Sequence, residues 1–274
     1  MDHPLPIPQF LHDGDFLSVL KLHGYEVAPR LAEVAAKFEA ELGKGGIATE
    51  GTTVLAVKYK DGVLLAGDRR ATAGNLVMYE RAEKLITIDA RSILAIAGVP
   101  AVAFEMARVL EHSFKYYQRS QLQEMSTAGK VRTLSKLLKE NLPLTLRGVG
   151  MVVPIFATYE QADGKDGGGK VYFYDALGAQ FEGVDYAASG SGSIAVRSVL
   201  HFLNTWGDKP LAKYNESEAV ATALRLLDTA ADSDTATSGY NPKSNIFPLV
   251  RVITKEGIRE TPETELGRIY RSEV

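Results

Sequence analysis

The 274-residue sequence contains no cysteine. That excludes disulfides, a thiolate nucleophile, iron–sulfur clusters and cysteine-ligated zinc. Histidine is scarce as well. His3, His12, His23, His112 and His201 are the whole set, three of them fall within the first 23 residues, and no two share an H-x-x-x-H spacing. A histidine-built metal site or triad has little to draw on, although partners distant in sequence can meet in space. No run reaches the roughly 18 apolar residues of a membrane-spanning helix. The opening Met-Asp-His-Pro-Leu-Pro-Ile-Pro has neither the basic start nor the apolar stretch of a secretory signal. An excess of one charge is also missing. With 31 Lys+Arg against 34 Asp+Glu the net charge is -3, so no field favours nucleic acid or an acidic membrane surface as partner. These absences together predict a cytoplasmic protein.

What is present suffices for a folded body. At 45% hydrophobic and 24% charged residues the chain can bury a substantial core, as one large domain or two small ones. It divides unevenly. Residues 1–51 hold four of the eleven prolines and carry eight acidic against four basic residues, a net of -4, which leaves the remainder at +1. Within this segment Arg30 to Leu42 reads as a helix, with Leu31, Val34, Phe38 and Leu42 on one face and Glu33, Lys37 and Glu41 off it. The glycine-rich run from Gly43 to Gly51 reads as a flexible linker.

From Thr52 the texture changes. Thr52 to Lys60 and Val63 to Ala66 are β-rich and flank Asp61-Gly62, a two-residue hairpin signal. Lys84 to Ile88 and Ser92 to Ala97 are further strands. Helical patterns cover Pro100 to Arg119, with proline suited to the first turn, and Ala128 to Leu142. Gly150 to Tyr159 and Val171 to Tyr174 are strands around a loop from Ala162 to Gly169, and Val184 to Ala188 is another strand. Ile194 to Asn204 and Glu216 to Ala231 are helices, and Leu249 to Thr254 and Ile258 to Glu260 close the chain as strands. A doubly wound sheet would alternate strand and helix one by one. Grouped strands and paired helices predict an α+β fold of two stacked antiparallel sheets between helical layers.

Several short patterns admit ordinary explanations. Gly190-Ser-Gly192-Ser-Ile-Ala195 fits G-x-G-x-x-A, with Asp208 18 residues after Gly190. That is a dinucleotide fingerprint in outline, but no βαβ unit follows, and a tight strand-to-helix turn explains the glycines. Asn215-Glu-Ser217 has the form of a glycosylation acceptor, which means nothing without a secretory signal. Tyr116, Tyr117 and Phe173 read as core or interface aromatics.

Gly51-Thr52-Thr53 is the most informative stretch. A hydroxyl nucleophile needs a base to take its proton. A threonine at a chain start carries one in its own α-amino group, and this would require cutting the chain after Gly51, where the composition changes. Taken alone, Gly-Thr-Thr at a strand start is more often structural, because β-branched threonines favour strands. The wider pattern includes Gly51-Thr52-Thr53, Gly67-Asp68-Arg69-Arg70-Ala71-Thr72, Lys84, Ile96-Ala97-Gly98, Gly190-Ser191-Gly192 and Asp234-Thr235-Ala236-Thr237-Ser238-Gly239. In these motifs the chain from Gly51 to Glu260 resembles the proteasome β-subunit family, its actinobacterial members most closely. The family has an Asp 16 and a Lys 32 residues after its catalytic threonine. From Thr52 these offsets reach Asp68 and Lys84; from Thr53 they reach Arg69 and Leu85, which cannot do the work.

The resemblance implies an N-terminal-nucleophile hydrolase, a four-layer αββα sandwich, acting as a threonine-type endopeptidase of the 20S core particle. Thr52 would be the nucleophile, Asp68 and Lys84 its charged partners, and the Gly98 N–H the oxyanion donor. Ser191, Asp234 and Thr237 would support the nucleophile and its amine. Thr237 and Ser238 depart from the Ser and Gly frequent there. Ala71, Thr72, Ala82, Ile86, Ile96, Pro100 and Phe104 would form an uncharged substrate-binding pocket, favouring cleavage after apolar residues. Residues 1–51 become a propeptide released by autolysis between Gly51 and Thr52, and 52–274 the catalytic domain. Implied partners are α subunits and other β subunits in four stacked seven-membered rings, a ring ATPase or other gate-opening regulator, and unfolded or tagged protein substrates. ATP would bind that regulator, and no cofactor is implied for this chain. A non-catalytic ring subunit would have lost the Thr/Asp/Lys set. The simpler two-ring hexameric bacterial relative has shorter subunits without a long propeptide.

Overall fold

The computed structural model describes residues 51–73, 76–161, 167–182 and 184–274. The expected helix at 30–42, the linker at 43–50 and most of the loop at 162–169 lie outside them. Strand β1 (Thr53–Tyr59) turns through Asp61-Gly62 into β2 (Gly62–Gly67), as the hairpin signal predicts. A small hairpin, β3 (Ala71–Ala73) and β4 (Leu76–Tyr79), precedes β5 (Leu85–Asp89) and β6 (Ser92–Ala95). Helices α1 (Pro100–Gln121), α2 (Thr127–Glu140) and the short α3 (Leu142–Leu146) follow, then β7 (Ile155–Glu160), β8 (Gly168–Tyr174), β9 (Gln180–Phe181) and β10 (Tyr186–Gly190). The chain continues with α4 (Ser193–Trp206), α5 (Glu216–Ser233), β11 (Leu249–Thr254), β12 (Gly257–Glu260) and α6 (Glu263–Glu273).

Two five-stranded sheets result, in the orders β10-β1-β2-β11-β12 and β5-β6-β7-β8-β9. Every pairing within them is antiparallel. Alternation along β1 explains the layering. Val54 and Ala56 point to the second sheet and pack with Val63, Leu65, Ile93, Ile155 and Val171. Leu55 and Val57 point the other way and pack on Val220, Leu224 and Leu227 of α5 and on Leu200 of α4. The outer face of the second sheet packs Leu94 and Phe156 against Met106 and Leu110 of α1 and Leu134 and Leu138 of α2. The architecture is therefore the αββα sandwich of the α+β reading.

Several details differ from the sequence expectation. Ser92–Ala97 ends as a strand at Ala95, because the chain turns towards α1 through Gly98, whose φ is 109°. The strand expected to start at Gly150 begins at Ile155. The second helix breaks at Asn141, and Pro143 opens the separate turn α3. Helix α6 was not expected; Leu266 and Ile269 anchor it on the α5 side of the first sheet. Phe173 packs against the inter-sheet core and stacks on Phe181 at 4.6 Å, whereas Tyr116 and Tyr117 are half-buried on α1. Asn215 is an N-cap. Its side chain accepts from Glu218 N–H at 3.0 Å, and the Glu218 carboxylate accepts from Asn215 N–H at 2.8 Å, which is a capping box.

Candidate active site

Thr52 lies at the entry to β1 and is 6% exposed. Thr53 pairs with Gly190 of β10, and Val54 pairs with Gly67 of β2. The start of β1 is therefore clamped on both sides. Close approach explains both glycines of the Gly190-Ser-Gly192 turn. Gly190 has φ 99°, and a Cβ there would stand 1.8 Å from the Thr52 carbonyl oxygen. A Cβ on Gly192 would stand 2.6 Å from Thr53 Oγ1. Because β10 is antiparallel to β1 and α4 leads into another helix, this turn is not part of a dinucleotide-binding unit.

The register brings Asp68 and Lys84 to Thr52. Asp68 follows β2 directly and is fully buried; Lys84 precedes β5 and is 4% exposed. Lys84 Nζ donates to Asp68 Oδ1 at 2.6 Å, to Arg70 O at 2.5 Å and to Gly51 O at 3.3 Å. Thr52 Oγ1 donates to that same Gly51 oxygen at 2.6 Å. The hydroxyl and the ammonium thus converge on the carbonyl of the Gly51–Thr52 peptide. Asp68 is held in turn by Thr53 N–H at 2.7 Å and Arg70 N–H at 2.9 Å. Burial pulls the Lys84 pKa below the usual lysine value, against the opposing charge and hydrogen bond of Asp68.

A second cluster lies on the other side of Thr52. Ser191 N–H donates to Thr52 O at 2.9 Å. Ser191 Oγ and Thr237 Oγ1 both donate to Asp234 Oδ2 at 2.5 Å, and Ala236 N–H donates to Oδ1 at 3.0 Å. Burial alone would raise the Asp234 pKa, but these donors outweigh it and hold the carboxyl below its ordinary value. Ser238 occupies a backbone conformation open to any L-residue, since it has no positive φ. Its N–H donates to Asp68 Oδ2 at 3.3 Å.

Gly98 stands where the chain leaves β6. Ile96 N–H donates to Lys84 O at 2.9 Å, which holds this strand end beside the lysine backbone. Gly98 faces Val152 across a bridge closed by Val99 N–H to Met151 O and Val153 N–H to Ala97 O. In such a pair the central residue's own N–H points away from its partner strand. A Cβ at Gly98 would stand 2.1 Å from Met151 O, so only glycine fits. Among the expected pocket residues, Ile86 and Ile96 share the apolar cluster under α1. Thr72 is buried on β3; Ala71, Ala82 and Pro100 are half-buried, and Phe104 is 41% exposed on α1. A cavity of about 890 Å³ lined by Lys58, Tyr59, Tyr159, Gly169 and Arg259 lies at the opposite end of β1 and takes no part in this site.

Sequence reading missed three participants. Arg70 and Ser238 hold Asp68 through backbone N–H groups, which side-chain chemistry does not announce, and Thr53 contributes through its N–H and through a hydroxyl whose partners lie far away in sequence. Among the described residues there is no group of three or more His, Asp or Glu able to hold a metal, and no helix is long and apolar enough to cross a membrane. The arrangement supplies a buried hydroxyl, a cation at the adjoining carbonyl and a separate hydrogen-bonded carboxylate, the parts an acyl transfer to oxygen requires.

Comparison with known proteins identifies the family. The family model described as proteasome subunit matches residues 48–241. The chain is 39% identical over 224 residues to proteasome subunit beta 2 of Thermomonospora curvata, covering 82% of this chain and 76% of that protein. It is 36% identical over 274 residues to proteasome subunit beta of Nocardia farcinica, covering 96% and 93%. Proteasome subunit beta of Acidothermus cellulolyticus is 33% identical over 267 residues, covering 96% and 88%. The chain belongs to the proteasome subunit family, and these relatives within it are β subunits.

Proposed function

We propose that this chain is a catalytic β subunit of a 20S core particle, a threonine-type endopeptidase whose nucleophile is Thr52 Oγ. The observation that carries the reading is the convergence of Thr52 Oγ1 and Lys84 Nζ on the Gly51 carbonyl oxygen, with Asp68 fixed behind the lysine. In the intact chain the Thr52 nitrogen is an amide and cannot act as a base. Attack of Oγ on the Gly51 carbonyl carbon forms a C–O bond; as the tetrahedral intermediate collapses the C–N bond breaks, the proton given up by Oγ ends on the departing Thr52 nitrogen, and Gly51 is left as an ester on Thr52 with the amine free. Water then hydrolyses the ester and releases residues 1–51. Hydrogen bonding of Lys84 to the carbonyl oxygen favours that attack.

Once free, the α-amino group, with an ordinary pKa of about 8, takes the Oγ proton as the hydroxyl attacks a substrate carbonyl. It passes that proton to the departing amine. The Lys84 charge favours the alkoxide and disfavours a second cation on the amine; Asp68 holds Lys84 in place. The Gly98 N–H faces the developing oxyanion. Ser191, Asp234 and Thr237 orient the amine. Water resolves the ester and restores Thr52. Ala71, Thr72, Ala82, Ile86, Ile96, Pro100 and Phe104 receive the side chain before the cut; none is charged, so apolar residues are preferred.

Proteasome subunits work assembled with other subunits in rings. Here the partners are α subunits and further β subunits, with a ring ATPase or other gate-opening regulator delivering unfolded or tagged proteins. Leu76, Val77, Met78 and Tyr79 on β4 and Ile194, Phe202 and Trp206 on α4 are exposed and offer apolar area for such contacts. The test is Thr52→Ala, co-expressed with the α partner. Assembly with peptide hydrolysis abolished is expected; hydrolysis that persisted would place the nucleophile elsewhere.

A further inference from the structure

Among the described residues, Thr53 is a buried hydroxyl residue next to Thr52 to which the catalytic scheme gives no part. It is fully buried, and each of its polar groups is spent on a site residue. Its N–H donates to Asp68 Oδ1 at 2.7 Å, and its carbonyl accepts from Asp68 N–H at 3.0 Å. Its Oγ1 lies 2.6 Å from Thr237 Oγ1 and accepts from Gly192 N–H at 3.0 Å. A hydroxyl has a single proton to give. Thr237 spends its own on Asp234 Oδ2 at 2.5 Å. The proton between the two threonines is therefore Thr53's. A directed chain follows, from Gly192 N–H to Thr53 Oγ1, to Thr237 Oγ1, to the Asp234 carboxylate. Hydrogen bonds aligned in one direction polarise and strengthen one another.

We infer that Thr53 is a positioning residue for peptide hydrolysis, whose hydroxyl aims the Thr237 proton at Asp234 and ties that cluster to the Asp68–Lys84 pair held by the Thr53 backbone. This rests on the reading of Thr52 as nucleophile. The backbone links survive any side-chain change, so the hydroxyl is the separable part. Without it, Thr237 Oγ1 loses its donor, and the Gly192 N–H in the strand-to-helix turn loses its acceptor. The groups expected to orient the Thr52 amine are then free to turn.

Thr53→Val keeps the β-branching and puts a methyl group where the hydroxyl was. Thr53→Ser keeps the hydroxyl and removes a methyl group. Both are made in the full-length chain co-expressed with the α partner, with assembly and the mature N-terminus read by mass spectrometry. The expected result for Val is a fall in kcat of about tenfold at unchanged KM, the loss of one hydrogen bond's worth of orientation. Ser is expected within twofold of the parent. A packing role predicts the reverse order, with Val at the parent kcat and Ser impaired, and that result overturns the inference. Should Val fail to assemble, Ser decides alone: a kcat below a fifth of the parent's would overturn it, and parental kcat supports it. Thr52→Ala run in parallel separates the two claims, because residual activity there refutes the nucleophile assignment whatever Thr53 does.

Discussion

Replacing Lys84 by methionine removes a charge while keeping most of the buried stem. The lysine side chain is 6% exposed and that of Asp68 is fully buried, with 2.6 Å between them. Removing one partner of a buried pair costs about 3–5 kcal/mol, because the other charge stays buried and uncompensated. Asp68 would still accept from Thr53, Arg70 and Ser238 N–H groups, which places the expected cost near the lower figure. For a domain of this size each kcal/mol moves Tm by about 2–4 °C, so a drop of about 6–12 °C is expected. Urea denaturation of the full-length chain gives the free energy directly. Asp68→Asn alone and the double variant complete a cycle, in which the double variant should be less damaged than the sum by about 1–3 kcal/mol. No member of the cycle should hydrolyse peptides. A Lys84→Met cost below about 1 kcal/mol, the range of exposed pairs, or strict additivity would refute the buried, coupled pair.

Two further outcomes follow from the same contacts. Gly51→Ala would place a Cβ 2.3 Å from Thr72 Oγ1 and 2.8 Å from Ala236 O; displacing the carbonyl this way should slow self-cleavage about 10²-fold, followed as the mass change of the subunit over time. Tyr59 Oη is buried without a hydrogen-bond partner among the described residues, and burial pushes its pKa up to about 12. Tyr59→Phe should therefore leave stability unchanged or raise it by up to about 1 kcal/mol. Tyr174 Oη donates to Val131 O at 3.0 Å, and Tyr174→Phe should cost about 1 kcal/mol in the same denaturation assay.

The layered core was legible because β1 and β2 carry a two-residue turn between apolar runs, and because α1 and α5 repeat their apolar positions at helical spacing. Helix α6 was not. Its contribution to the core is small, chiefly Leu266 and Ile269, and most of its eleven residues are polar. The β3–β4 hairpin escaped for the opposite reason. Leu76 to Tyr79 is an apolar run, yet all four side chains are exposed, so periodicity carries no record of where it packs. At the site, offsets from Thr52 pointed to Asp68 and Lys84, whose side chains make the contacts themselves. The glycines at 190 and 192 resembled a nucleotide motif because close backbone approach has the same requirement whether the neighbour is a phosphate or, as here, Thr52 and Thr53. Thr53 itself was hidden: a threonine in a strand is unremarkable until its hydroxyl is seen to meet Thr237, 184 residues away.

In the proposed mechanism residue 52 becomes the chain start and supplies nucleophile and base together. Intact mass and N-terminal sequence of the subunit from an active, α-partnered particle test it most directly. The expected mature chain has 223 residues and begins Thr52-Thr53-Val54, and the 274-residue chain is expected to stay unprocessed when Thr52 is alanine. An active particle whose subunit begins at Thr53, at any other residue, or at Met1 would contradict it.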